Sequence, residues 1–138
     1  MNEADFIAES IASELRALDV ILQRHDPHAD EDLVAASVDR LDMRAWGEIT
    51  DARLDSAVWL WLEEICVGHK RYREIGGEGR RLVITRSCNG PHVEISRDTD
   101  DGTAITIDAY DGRDHAHRRV HESALADALD QYAFGGPE

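Results

Sequence analysis

The apolar residues of this chain change their spacing near its middle, and that change dictates a mixed architecture. Up to residue 65 they recur at intervals of three and four; from residue 81 to residue 110 they alternate. The first spacing lines one stripe of an α-helix and the second one face of a β-strand. Ile7, Ile11, Leu15, Leu18 and Leu22 follow at steps of four, four, three and four, which predicts a helix from about Glu3 to Arg24. Asp26-Pro27 closes it, because the residue before a proline avoids helical geometry. Asp30, followed by Glu31 and Asp32, supplies a cap and first-turn acids for a shorter helix marked by Val34, Val38 and Leu41. A third helix is expected from Thr50 or Asp51, with Leu54, Val58, Trp61 and Ile65 on one stripe and Trp59, Leu60 and Leu62 widening the apolar face, ended by Gly68 in left-handed geometry.

Arg81 to Arg86, His92 to Arg97 and Thr103 to Tyr110 are rich in β-branched residues and alternate, which predicts three strands. Asn89-Gly90 and Asp101-Gly102 stand between them, and both dipeptides tolerate the positive φ of a tight hairpin turn. A polar loop is expected from Asp111 to Arg119, then an amphipathic helix carrying Leu125, Ala128, Leu129 and Tyr132 and stopped by Gly135-Gly136-Pro137. The fold class expected is α+β, with N-terminal helices packed on a three-stranded antiparallel meander that a C-terminal helix follows. Residues 1–138 read as a single domain: a helical part over 1–69, a basic, Gly-rich connector over 70–80, and the meander with its helix over 81–138.

Hydrophobic residues make up 42 % of the chain, enough for a core. The longest apolar run, Ala57 to Leu62, is too short to span a bilayer, and acids stand at the N-terminus where a secretory signal carries lysine or arginine. A cytoplasmic protein without membrane contact is expected. Cys66 and Cys88 lack the paired spacing of a metal knuckle or redox motif and read as reduced thiols.

Charge carries the functional signal. Seventeen aspartates and twelve glutamates face fourteen arginines and one lysine, Lys70, for a net charge of −14. Self-repulsion of that size persists where salt screens it or where a cationic partner uses it. Two readings follow: a salt-adapted protein, or an acidic surface that imitates nucleic acid. The net charge is −11 from Met1 to Glu64, +4 from Ile65 to Arg97 and −7 from Asp98 on. The central cluster Lys70, Arg71, Arg73, Arg80 and Arg81 weighs against uniform salt adaptation, and pairing with flanking acids accounts for it structurally. Carboxylates spaced like phosphates occupy the lysines and arginines from which a DNA-binding protein draws much of its affinity. The candidates are Asp26, Asp30, Glu31 and Asp32 around the first interhelical loop, Asp39 and Asp42 beyond it, and a rim of Asp98, Asp100, Asp101, Asp111 and Asp114. Reversing Asp30, Glu31 and Asp32 together is expected to abolish partner binding without lowering thermal stability.

From Leu82 to Gly135, under half the chain, ordered landmarks repeat a known pattern: Ser87-Cys88-Asn89-Gly90-Pro91 ending a strand, Val93 to Ile95, the acidic turn Asp98 to Gly102, Ile105 to Tyr110 with Asp111-Gly112, and Tyr132-Ala133-Phe134-Gly135. This resembles the C-terminal region of small proteins carried by plasmids, integrative elements and phages, some of them antirestriction proteins. Asn89 stands where that pattern has a first glycine and Gly112 where it has a tryptophan. The resemblance implies a mobile-element setting and an anti-defence role in the host cytoplasm and establishes no molecular target; it is the acidic surface that leads to a DNA-binding protein of a host defence system as the expected partner.

Catalytic patterns are weaker. Asp114, His115, His117 and His121 offer metal ligands if the loop folds back, but Arg118 and Arg119 sit among them and no His-Glu-x-x-His spacing appears. Asp98-x-Asp100-Asp101-Gly102 fails as a calcium loop, since its glycine comes one place early and Ala109 stands at the glutamate position. Gly76-Gly77-Glu78-Gly79 lacks the Lys-Ser/Thr ending of a phosphate loop. No enzyme activity, cofactor, metal or direct nucleic-acid binding is expected. Trp46, before Gly47 in an expected loop, is a candidate aromatic anchor. Trp59 and Trp61 lie about 200° apart on one helix, so exposure of either points to a homodimer or partner groove.

Overall fold

The computed structural model describes residues 2–64, 68–73, 80–87 and 91–134. The first helix, α1 (Glu3–Leu22), starts on a capping box in which the Asn2 side chain accepts from the Asp5 amide at 2.8 Å and the Asp5 carboxylate accepts from the Asn2 amide. Of the expected stripe Ile11, Leu15 and Leu18 are buried, joined by Ala4, Ala8 and Ile21, while Ile7 and Leu22 lie half-buried at its edge. Helix α2 (Glu31–Arg40) follows, then a 3₁₀ turn (Met43–Trp46), α3 (Asp51–Asp55) and α4 (Ala57–Glu64).

The single long third helix is therefore corrected to two. At Ser56 the backbone amide closes α3 onto Ala52 and Arg53, and the Ser56 carbonyl then accepts from Leu60 to open α4. The stripe survives the break, since Leu54, Val58 and Trp61 are all buried. Gly68 does not end this helix; it begins a strand. Trp46 lies in the 3₁₀ turn rather than in a loop, and its side chain is outside the described residues. Cys66, Cys88, Gly76 to Gly79, the turn at Asn89-Gly90 and the stop at Gly135-Gly136-Pro137 also lie outside them.

The expected strands exist as β2 (Arg80–Ser87), β3 (His92–Asp98) and β4 (Ala104–Asp111), but the described sheet has five strands, because β1 (Gly68–Arg73) and β5 (Asp114–His121) flank them. The order β1-β2-β3-β4-β5 is antiparallel throughout, the meander the turns implied. Strand β1 takes up part of the presumed connector. Strand β5 replaces most of the presumed polar loop; Asp111 pairs with Asp114 across a two-residue turn, and Gly112 takes φ 61° at the first central position, as a type II′ hairpin demands.

One sheet face is buried and the other is open. Cross-strand rows Ile84-Ile95-Ile107 and Val93-Ala109-Ala116 line the inner face, against which α1 and α5 (Ser123–Phe134) pack, with α2 and α4 outside α1. Inner-face arginines fasten these helices. Arg97 of β3 grips Asp130 of α5 through two bonds of 3.0 and 2.9 Å, Arg86 of β2 meets Glu14 of α1 at 2.6 Å, and Arg118 of β5 bridges Glu9 and Asp5 of α1 at 2.8 and 3.1 Å. A rigid guanidinium fork serves such two-point pairing better than a lysine does, which gives the arginine bias a structural use. Among the described residues no helix is long and apolar enough to cross a membrane.

Candidate functional site

The acidic site is built where α1 ends and α2 begins. Asp26 holds the turn by accepting from the His28 amide at 2.8 Å, and Asp30 caps α2 by accepting from the amides of Asp32 and Leu33. Asp26, Asp30, Glu31 and Asp32 are all exposed, and none forms an ion pair with a described residue. Arg24, buried at the end of α1, draws α3 up to this loop: it donates to the carbonyls of Ile21 and Asp51 and pairs with Asp55. Glu31 and Asp51 consequently line one hollow of about 250 Å³, while Asp26 and Asp30 rim its neighbour of about 440 Å³; Ala29 and Val34 border both. Asp51 thus borders the acidic surface, while Asp55 beside it is paired with Arg24. Sequence reasoning missed them because their approach depends on Arg24.

The cap assignment corrects one expectation. Reversing Asp30 removes the side chain that satisfies two orphan amides, and reversing Glu31 and Asp32 puts cations at a helix N-terminus; both destabilise, the lost cap alone by about 1 kcal/mol. The triple reversal therefore lowers stability as well as charge.

The remaining candidates do not join this site. Asp39 lies on the last turn of α2, a helix of ten residues, where Arg44 neutralises it at 2.5 Å. Asp42 adopts left-handed geometry just beyond, with φ 53°. The expected rim is split: Asp98, Asp100 and Asp101 belong to the β3–β4 turn and Asp111 and Asp114 to the β4–β5 turn, at opposite ends of β4. Asp101 is further held by Arg119, and Asp98 accepts from the Asp100 amide.

The open sheet face carries a second constellation that the polar-loop reading hid. Register places His92, Tyr110 and His115 in one row and Glu94, Asp108 and His117 in the next. Asp108 Oδ1 lies 3.0 Å from His115 Nε2 and 2.8 Å from His117 Nδ1. A carboxylate only accepts, so each imidazole donates to it, leaving Nδ1 of His115 and Nε2 of His117 as the free lone pairs. Burial pulls the Asp108 carboxyl up, but the bonds from His117 and His115 outweigh it and hold it below its ordinary value. Tyr110 stacks flat on His115 at 4.6 Å. The signal available in sequence was the period of two in His115, His117 and His121. Asp114, His115, His117 and His121 therefore sit on a strand rather than a folded-back loop. Among the described residues no three His, Cys, Asp or Glu side chains are grouped to hold a metal ion.

The two helical tryptophans diverge as expected, with Trp61 buried and Trp59 52 % exposed, edge-on to Tyr132 of α5 at 5.1 Å. Set beside known protein families, curated proteins and solved structures, the chain matches none of them.

Proposed function

We propose that this protein is an acidic, non-catalytic inhibitor of a bacterial DNA-targeting defence system, of the anti-restriction or anti-CRISPR kind, that occupies the partner's basic DNA-binding surface as a DNA mimic. The observation that carries this reading is the gathering of Asp26, Asp30, Glu31 and Asp32, with Asp51 beside them, around the α1–α2 junction, on a chain of net charge −14. Each described inner-face arginine is spent on a helix, and Asp26, Asp30, Glu31 and Asp32 form no ion pair with a described residue. A surface of this kind attracts a basic partner over the range of the Debye length and weakens as salt rises. The resemblance of the segment from Leu82 to Gly135 to proteins of mobile elements supports the same setting.

A second reading, a dimeric interaction module, draws on the exposed Trp59 beside Tyr132, since large aromatics anchor interfaces. One experiment separates the two. Tagged protein is used as bait at physiological salt in lysate carrying restriction and CRISPR systems, with elution by DNA and by moderate salt. Stoichiometric recovery of a DNA-binding defence subunit that DNA releases is the expected result. Recovery of bait alone, with a dimer in solution, overturns the inhibitor reading in favour of the module.

A further inference from the structure

Resting on that reading, we infer that the groove between the end of α1 and the start of α2 receives a lysine- or arginine-bearing amphipathic helix of the partner protein. The groove holds about 440 Å³, within the range of ligand pockets, and its walls are Val20 of α1, Gln23 and His28 of the connecting loop, and Leu33 and Val34 of α2. Asp26 and Asp30 stand on its rim, and Ala29 and Val34 continue into the hollow that Glu31 and Asp51 border together with His25 and the ion-paired Arg24.

Charge alone does not explain this composition. Imitating a phosphate backbone asks only for carboxylates, yet Leu33 follows Glu31 and Asp32 in the first turn of α2 and is left 45 % exposed. An apolar wall beneath an acidic rim matches a side chain with an apolar stem and a cationic head, which lysine and arginine have. It also matches the apolar stripe of the helix that bears them. The choice of a helix follows from the walls. No sheet edge borders the groove to pair with an extended strand, so a helix, which satisfies its own backbone hydrogen bonds, is the occupant it suits. Acids on the rim and cations on the occupant supply the charge complementarity that orients it.

The test uses two synthetic peptides, a lysine- and arginine-bearing amphipathic helix and a scrambled peptide of identical composition, titrated into the full-length protein by fluorescence anisotropy at low and physiological salt. The amphipathic peptide is expected to bind about tenfold more tightly than the scrambled one, as half-burial of Leu33 with its neighbours allows. Leu33→Ser should remove that advantage while leaving the salt dependence intact. Asp26→Asn with Asp30→Asn, which keeps amide caps, should flatten the salt dependence. Equal binding of both peptides overturns the groove and leaves the acidic inhibitor standing; binding of neither overturns both.

Discussion

The buried pair Arg97–Asp130 offers the sharpest test of how the helices are fixed to the sheet. Arg97 is 3 % exposed, with Nε and one Nη held by Asp130 and the other Nη donating to the Ala104 carbonyl at 3.0 Å. Asp130→Ala removes the counter-charge and leaves a guanidinium in the core, a loss of about 3–5 kcal/mol. With about 2.1 cal/mol/K of unfolding entropy per residue, that lowers the melting temperature of a chain this size by about 10–17 °C. Arg97→Met behaves differently. It leaves behind only a carboxylate that water still reaches, since the Asp130 side chain is 26 % exposed, and it fills the core with a flexible apolar chain; the cost is under about 2 kcal/mol. Urea unfolding of both variants and the double mutant measures the difference. If Asp130→Ala costs less than about 1 kcal/mol, or if Arg97→Met costs as much as Asp130→Ala, the pair does not fasten α5 as argued.

Four further outcomes follow from particular side chains. Burial, and next the Asp19 carboxylate, raise the Glu122 carboxyl, so this group favours folding fully below its ordinary value and loses that contribution as pH climbs through the raised one; Glu122→Gln should raise the melting temperature at pH 7 and change nothing at pH 3. The lowered Asp108 carboxyl works the other way: its stabilisation is present above the ordinary value of 3.8 and fades as pH falls through the lowered one, so wild type and Asp108→Asn should converge in stability in acid. Nitrogen-edited NMR should find the proton on Nδ1 of His117 and on Nε2 of His115, with the opposite tautomers contradicting the shared carboxylate. Gly112→Ala, in open space but at φ 61°, should cost about 1 kcal/mol in chemical unfolding, and Gly112→Asn less.

What the sequence disclosed depended on whether an element is specified by its own residues or by its neighbours. Helix α1 was legible because its stripe and its ending are local. The break at Ser56 was not, because Leu54, Val58 and Trp61 keep one stripe across it. Strand β5 was misread as a loop because its inner face carries the half-exposed Arg118 between Ala116 and Val120, and the partners that place that arginine there, Asp5 and Glu9, lie more than a hundred residues away. The same distance effect hid the Asp108 array, whose members lie on separate strands. The acidic cluster from Asp26 to Asp32 was legible because it is contiguous. The rim failed for a reason already contained in the meander: successive hairpin turns lie at opposite ends of the sheet, so Asp98 to Asp101 and Asp111 to Asp114 never meet.

The central claim is tested most directly by phage plating on hosts that carry restriction or CRISPR systems and express either the wild type or a variant with Asp26→Asn, Asp30→Asn, Glu31→Gln and Asp32→Asn. These changes erase four charges while keeping capping amides, so both proteins should melt within a few degrees of each other. The account predicts that the wild type restores plating on at least one such host and that the neutral variant does not. Restoration by both proteins, or by neither on any defended host, contradicts it.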